Sequence, residues 1–222
     1  MFEGFIKREN EIFEAIEAFQ KLECTLIGGY AVSAYKHRFS VDADIVIKKH
    51  DFPEFKKILT RLGFMETISK KLENMYSTEF KRFEKKTGLP VSIDLLLGGM
   101  GVRQTGTAIS FEKIWENSET RKITGIEKSV RARIPTREML IVLKLQAGRL
   151  TDFRDIVALS EMFDPEKVRG MLEVNNQVKE NISRLIALTD DRKFMDSFKG
   201  VFMEKRFTPR IDLLKKLSHT FK

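Results

Sequence analysis

An α/β half followed by an α-helical half is the fold class predicted for this chain of 222 residues. Three observations carry the prediction. Between residues 24 and 134, runs of strand length, apolar or alternating, are separated by polar and glycine-bearing turns. Apolar residues at helical spacing precede and interrupt these runs. Beyond Pro135 only helical periodicity is found.

In order along the chain, residues 9–22 place Ile12, Phe13, Ile16 and Phe19 on one helical face. "CTLI" (24–27) reads as a short buried strand ending at Gly28-Gly29, "YAVSAYKH" (30–37) as helical, and "VDADIVI" (41–47) as an alternating strand. Asp51 is placed to cap a helix running to about Gly63, with Pro53 in its first turn. Strands are predicted at 64–69, 75–83 and 91–97, and "GGMGVRQTG" (98–106) as a loop with Gly98-Gly99 as a turn. A short helix near 109–116 and strands near 120–134 follow. Thr136 caps a helix whose stripe is Met139, Leu140 and Leu143. Helical periodicity continues through 152–163, 165–173, 175–189, 191–203 and 209–219, with Asp164-Pro165 and Thr208-Pro209 as helix starts. The domains expected are therefore 1–135, α/β, and 136–222, helical.

Hydrophobic residues make up 42% of the chain, which suits a globular fold. No apolar run approaches the roughly 20 residues that span a bilayer, and the N-terminus alternates charge with hydrophobes, unlike a signal peptide. A cytoplasmic protein with no membrane partner is expected. A single cysteine, Cys24, leaves no intramolecular disulfide and no cysteine-based zinc cluster, and reads as an inert buried thiol. The net charge of +8 favours polyanionic partners, but its excess is spread over both halves.

The chemistry concentrates around "LIGGYAVSAYKHRFSVDADIVI" (26–47). Side chains at i and i+2 of a strand share a face, so Asp42 and Asp44 point together while Val41, Ala43, Ile45 and Ile47 take the other side. Two carboxylates so placed repel unless a cation lies between them or one is protonated. Magnesium, which brings substrate phosphates with it, satisfies such a pair. "VSIDLLLGG" (91–99) places Asp94 inside an apolar strand, where an unpaired charge is unfavourable. Paired beside 41–47, Asp94 completes a three-carboxylate cluster suited to two-metal phosphoryl transfer, as a base or as a ligand. Gly28 and Gly29, between a strand and a helix, let phosphate approach backbone N–H groups.

"GGYAVSAYKHRFSVDADIVI" (28–47), followed by the strand aspartate Asp94, resembles the polymerase-β-like nucleotidyltransferase superfamily. Its members share a GG or GS loop, a D-x-D about a dozen residues later and a third carboxylate on a neighbouring strand. With an aromatic and Ala after GG, and Arg38 and Ser40 before D-x-D, the segment is similar above all to the AbiEii-type toxins. It is also similar to the minimal and aminoglycoside nucleotidyltransferases. Tyr30 stands where the family usually has Ser. "LIVLKLQAGRLTDFRDIVAL" (140–159) resembles the AbiEii-type segment in which a helical Lys is followed by an Arg/Lys-Asp pair. The resemblance implies a nucleotidyltransferase-type mixed sheet and transfer of NMP from an NTP, with two Mg²⁺ ions at Asp42, Asp44 and Asp94. It places Gly28, Gly29, Arg38 and Ser40 at the nucleotide, Lys144 on the triphosphate and Asp155 in support. It also implies tRNA or other RNA, or a cognate antitoxin protein, as partner.

Plainer readings stand beside these. Lys144 can snorkel from a helix flank, Asp155 can pair with Arg154 or Arg149 on an exposed face, and Arg38 can bridge to Asp42 or Asp44. Tyr30 and Tyr35 suit core packing, as do Met162-Phe163 and Phe194-Met195. His37, His50 and His219 lack metal-ligand spacing and are expected at the surface. "KRFEKK" (81–86) reads as a solvated strand end. Two functional alternatives remain: transfer to a small aminoglycoside-like acceptor, and a non-catalytic RNA-binding protein that keeps the fold.

Overall fold

The structure, a computed structural model, describes residues 2–71, 79–102 and 106–218. The chain divides into two compact units. The first takes the chain up to Ala34, then Phe39–Gly101 and Ala108–Pro135; the second takes Tyr35–Arg38, the described part of 102–107, and the chain from Thr136.

The first unit opens with α1 (Phe2–Ala18), whose residues Ile12, Phe13 and Ile16 are buried together with Phe19 just beyond it. β1 (Cys24–Ile27) runs directly into α2 (Gly28–Ser33), and β2 (Asp42–Ile47) follows. α2 is shorter than the spacing predicted, because the chain leaves the helix at Ala34 and residues 35–38 join the second unit. A short 3-10 turn at Lys49–Asp51 leads into α3 (Phe52–Arg61). Asp51 holds the N-cap position there, but its side chain makes no capping bond and lies beside His50 instead. β3 (Met65–Lys71), β4 (Glu79–Thr87) and β5 (Leu89–Leu97) complete a five-stranded mixed sheet in the order β1-β2-β5-β4-β3. Among the described residues of this sheet, β2 and β5 are the one parallel pair of neighbours. The strand expected from residue 75 begins, among the described residues, at Glu79, and 75–78 lie outside them.

Two sequence expectations fail here. "KRFEKK" is the middle of β4, a strand flanked by β3 and β5, with Phe83 fully buried. Strand alternation puts Arg82, Glu84 and Lys86 on one sheet face and Lys81 and Lys85 on the face of Phe83, so the run is paired strand and not a fraying end. The expected loop at 98–106 begins as a strand, β6 (Gly99–Val102), paired with β7 (Thr107–Ser110); residues 103–105 lie outside the described ones. Gly99, at φ +145°, lets this chain pass so close to its neighbour that a Cβ would sit 2.2 Å from the Ile109 carbonyl oxygen. α4 (Phe111–Glu116), capped by the Ser110 hydroxyl, and the hairpin of β8 (Ser118–Thr124) and β9 (Ser129–Pro135) close the unit.

The second unit is helical: α5 (Arg137–Ala147), α6 (Leu150–Leu159), α7 (Pro165–Met171), α8 (Asn176–Leu188), α9 (Arg192–Phe202) and α10 (Ile211–Ser218). The Thr136 hydroxyl caps α5 by accepting from the Met139 N–H, and Asp164 caps α7. Every residue of α5 from Met139 to Gln146 is buried, so this helix forms the centre of the unit. Phe163 and Phe194 are core residues, as expected, whereas Met162 is 75% exposed. Among the described residues no helix is long and apolar enough to cross a membrane.

Candidate active site

The alternation of β2 and its pairing bring the predicted carboxylates onto one face. Asp44 lies opposite Asp94 in the parallel β2–β5 register, and Asp42 opposite Ser92. Partners in a parallel ladder project to the same side, and Asp42 and Asp44 are two residues apart. Asp42, Asp44 and Asp94 therefore share a sheet face, with Ala43 and Ile45 buried on the other. Asp94 is 3% exposed, whereas Asp42 and Asp44 are partly open.

Gly28 belongs to the same spot. Ile27 is the register partner of Asp44, so the residue after it meets the Asp44 carboxylate. Gly28 adopts φ +68°, and a Cβ there would lie 2.0 Å from Asp44 Oδ2. The glycine thus makes room for the carboxylate, a role its spacing did not disclose. Gly28→Ala is expected to combine left-handed strain with this clash and lower stability by about 2–3 kcal/mol. Urea unfolding measures it; a change below half that range would show that Asp44 gives way freely. Gly29 is buried in the first turn of α2. Ser40 shapes the entry to β2: its hydroxyl donates to the Asp42 carbonyl (3.2 Å), and its own carbonyl accepts from the Tyr30 hydroxyl (3.4 Å). Tyr30 itself is buried against Phe13.

Arg82 is the site residue that the sequence concealed. It lies opposite Asp94 in the β4–β5 register and grips both carboxylate oxygens, Nε to Oδ1 and Nη2 to Oδ2, each at 2.7 Å. Its Nη2 also comes within 3.9 Å of Asp42. Burial raises the Asp94 carboxyl above its ordinary value, Arg82 pulls it back, and the neighbouring Asp42 and Glu84 charges add to the rise. The bond to Asp94 raises the guanidinium of Arg82 in turn.

This pairing bears on metal binding. Among the described residues no three His, Cys, Asp or Glu side chains are grouped to hold a metal ion. The three-carboxylate, two-ion arrangement expected from the sequence would need Asp94 to take an ion beside the Arg82 guanidinium that grips both its oxygens. Asp42 and Asp44 do fit a single divalent ion, since Mg²⁺ is commonly held by one or two carboxylates with substrate phosphates completing its shell.

The residues singled out in the helical half form a cluster of their own. Lys144 Nζ donates to Asp155 Oδ2 at 2.7 Å and to Asp152 Oδ1 at 3.0 Å. Arg38 Nη1 donates to the other Asp155 oxygen, and Arg149 Nε to Asp152 Oδ2 at 2.7 Å. Lys144 is buried, so it does not snorkel, and Asp155 is 1% exposed, so it is no surface partner of Arg154 or Arg149. Arg154 donates instead to Ser197. Burial pulls Lys144 down, but the Asp155 and Asp152 charges outweigh it and leave the ammonium above its ordinary value. Asp152 ends below its ordinary value because Lys144 and Arg149 outweigh its burial. Asp152, which sequence reasoning passed over, completes the cluster; its position three residues after Arg149 was the available signal.

Of the remaining expectations, burial pushes the Cys24 thiol up to about 12, as an inert thiol requires. Tyr35 lies against the Arg137 guanidinium, His37 and His50 are exposed, and His219 lies outside the described residues.

No protein-family model and no curated protein matches the sequence. Solved structures do match the fold. The antibiotic-resistance factor ANT(2'')-Ia aligns over 85% of this chain and 96% of its own, at 16% identity and a TM-score of 0.52. An antigenic nucleotidyltransferase-like protein from Paracoccidioides brasiliensis aligns over 88% and 98%, at 14% identity and a TM-score of 0.50. The chain has the nucleotidyltransferase-type fold: a mixed sheet with helices, and a helical C-terminal part.

Proposed function

We propose that this chain is a nucleotidyltransferase in which an acceptor hydroxyl attacks the α-phosphate of an NTP and pyrophosphate leaves. The observation that carries the reading is the shared face of Asp42, Asp44 and Asp94, with Asp44 packed against Gly28 at the end of β1. Asp42 and Asp44 would hold a divalent ion, whose positive charge, when bound, offsets that of the triphosphate and of the departing pyrophosphate. Asp94 serves as base. A carboxylate offers about four lone-pair sites, and Arg82 takes two of Asp94's, leaving places for the acceptor hydroxyl. Burial makes Asp94 the more basic, and Arg82 holds it in one orientation. Gly28 and Gly29 present the backbone beside the phosphates.

The acceptor in this reading is tRNA or other RNA, or an antitoxin protein, which the resemblance to AbiEii-type toxins supports and the charge of +8 suits. A small hydroxylated antibiotic is the second reading, favoured by the fold shared with ANT(2'')-Ia. The test incubates the chain with each α-labelled NTP and Mg²⁺, offering bulk tRNA, candidate protein partners and an aminoglycoside panel in separate arms. Label on RNA or protein, abolished by chelation of the metal, is expected. Label confined to aminoglycosides selects the second reading. No transfer in any arm, with no Mg²⁺-dependent NTP binding by calorimetry, refutes both and leaves an RNA-binding protein.

A further inference from the structure

We propose that the first unit carries a second ligand site, on the sheet face opposite Asp42 and Asp44, which takes a small apolar molecule ending in one negative charge. A cavity of about 300 Å³ lies there. Its apolar floor includes Phe19, Leu26 and Ile45, each at most 2% exposed. Leu26 and Ile45 are register partners, and Ile45 follows Asp44 on β2, so it points away from the carboxylates. The rim differs in kind. Trp115, Arg131 and Arg133 line it, and among the described residues no carboxylate does. An apolar chamber with a few fixed polar groups at its edge is the usual build of a small-molecule site.

Arg133 supplies the selectivity. Its guanidinium sits over the Trp115 ring, 4.0 Å from the centroid, and its Nη2 donates to the Trp115 carbonyl at 3.0 Å. Those two contacts hold the group in place, yet its Nε is buried without a hydrogen-bond partner. A buried cationic donor lacking an acceptor is unfavourable and is satisfied by an anion more than by any neutral group. Arg131, two residues earlier on β9 and so on the same face, is exposed and adds a second positive charge. A carboxylate on an alkyl or aryl body answers both halves of the cavity: its tail covers the floor and its head meets the arginines. A cation is repelled, a neutral amphiphile leaves Nε unpaired, and a nucleotide places polar groups on the apolar floor. The site shares no residue with the one proposed for transfer and does not rest on that reading.

The chain contains one tryptophan, Trp115, and it lines this cavity, so its fluorescence reports on occupancy. Octanoate is the probe, with 1-octanol and octylammonium as its neutral and cationic counterparts. A saturable change in tryptophan fluorescence with octanoate is expected, with 1-octanol at least about tenfold weaker and octylammonium silent. Arg133→Met should reduce octanoate binding to the level of octanol. Should that variant fail to fold, the comparison of octanoate with octanol on the native chain decides alone. Equal affinity for octanoate and octanol, or no saturable change with octanoate, overturns the proposal.

Discussion

Asp44→Asn is expected to lower NMP transfer by about 10³-fold, equivalent to roughly 4 kcal/mol of transition-state stabilisation, while the chain stays folded. The substitution preserves shape and removes one negative charge. Asp44 is the residue around which this end of the sheet is built: it pairs with Ile27, faces Asp94 across the ladder and lies against Gly28. Removing its charge leaves Asp42 as the one strand-β2 carboxylate on that face and halves the negative charge that faces the ion. Asp94→Asn provides the contrast. If Asp94 is the base and no ion ligand, its variant loses turnover but keeps Mg²⁺-dependent NTP binding, whereas Asp44→Asn loses both. Calorimetry with Mg²⁺ and a non-hydrolysable NTP, beside the labelled transfer assay, reads the two effects separately. Full NTP binding and transfer by Asp44→Asn would refute the site.

Lys144→Met is expected to destabilise the second unit by about 3 kcal/mol, the low end of the range for removing one partner of a buried ion pair. Methionine keeps most of the length and volume. Two fully buried carboxylates, Asp152 and Asp155, lose their shared ammonium, and only the arginines at either side, Arg149 and Arg38, remain to them. The pH dependence has a definite sign. Asp152 is lowered in the folded chain, so its contribution is complete above its ordinary value of 3.8 and is lost as pH falls through the lower folded value. Lys144 is raised, so its contribution is complete below 10.5 and is lost as pH rises through the higher folded value. Urea unfolding of both proteins across the acid range tests this. In Lys144→Met the acid loss of stability flattens, because the charge that depresses Asp152 is gone. An unchanged acid profile, or a loss under 1 kcal/mol, would show the cluster to be weakly coupled.

How much of the site could be read in advance follows from the range of the interactions concerned. Strand alternation is local, so the common orientation of Asp42 and Asp44 was legible in five residues, and the apolar surroundings of Asp94 marked it as a strand carboxylate in need of a partner. Helix caps are equally local, which is why Thr136 and Asp164 were found where they act. Asp51 shows the limit of that signal: the position was right and the capping bond absent. The partner of Asp94 was a different problem. Arg82 sits in a charged run with no mark to separate it from Lys81 or Lys85, and only the β4–β5 register sets it opposite Asp94. The strand character of 99–102 was likewise hidden, because its glycines read as a turn until a neighbouring strand passes close enough to need them. Lys144, Asp155 and Arg38 were each singled out, but the pairing of Arg38 with Asp155 spans 117 residues, and that of Lys144 with Asp155 and Asp152 depends on how two helices pack.

Apart from β6 and β7, the order of strands and helices, and the facing of the β2 carboxylates, are therefore written in the sequence, because each depends on residues within a turn or a few strand positions of one another. The neutralisation of Asp94 by Arg82, the burial of Lys144 between two aspartates and the cavity beneath Arg133 are settled by folding. Each needs side chains from different strands or helices to meet, and register and burial, which place them there, are properties of the assembled sheet and helices.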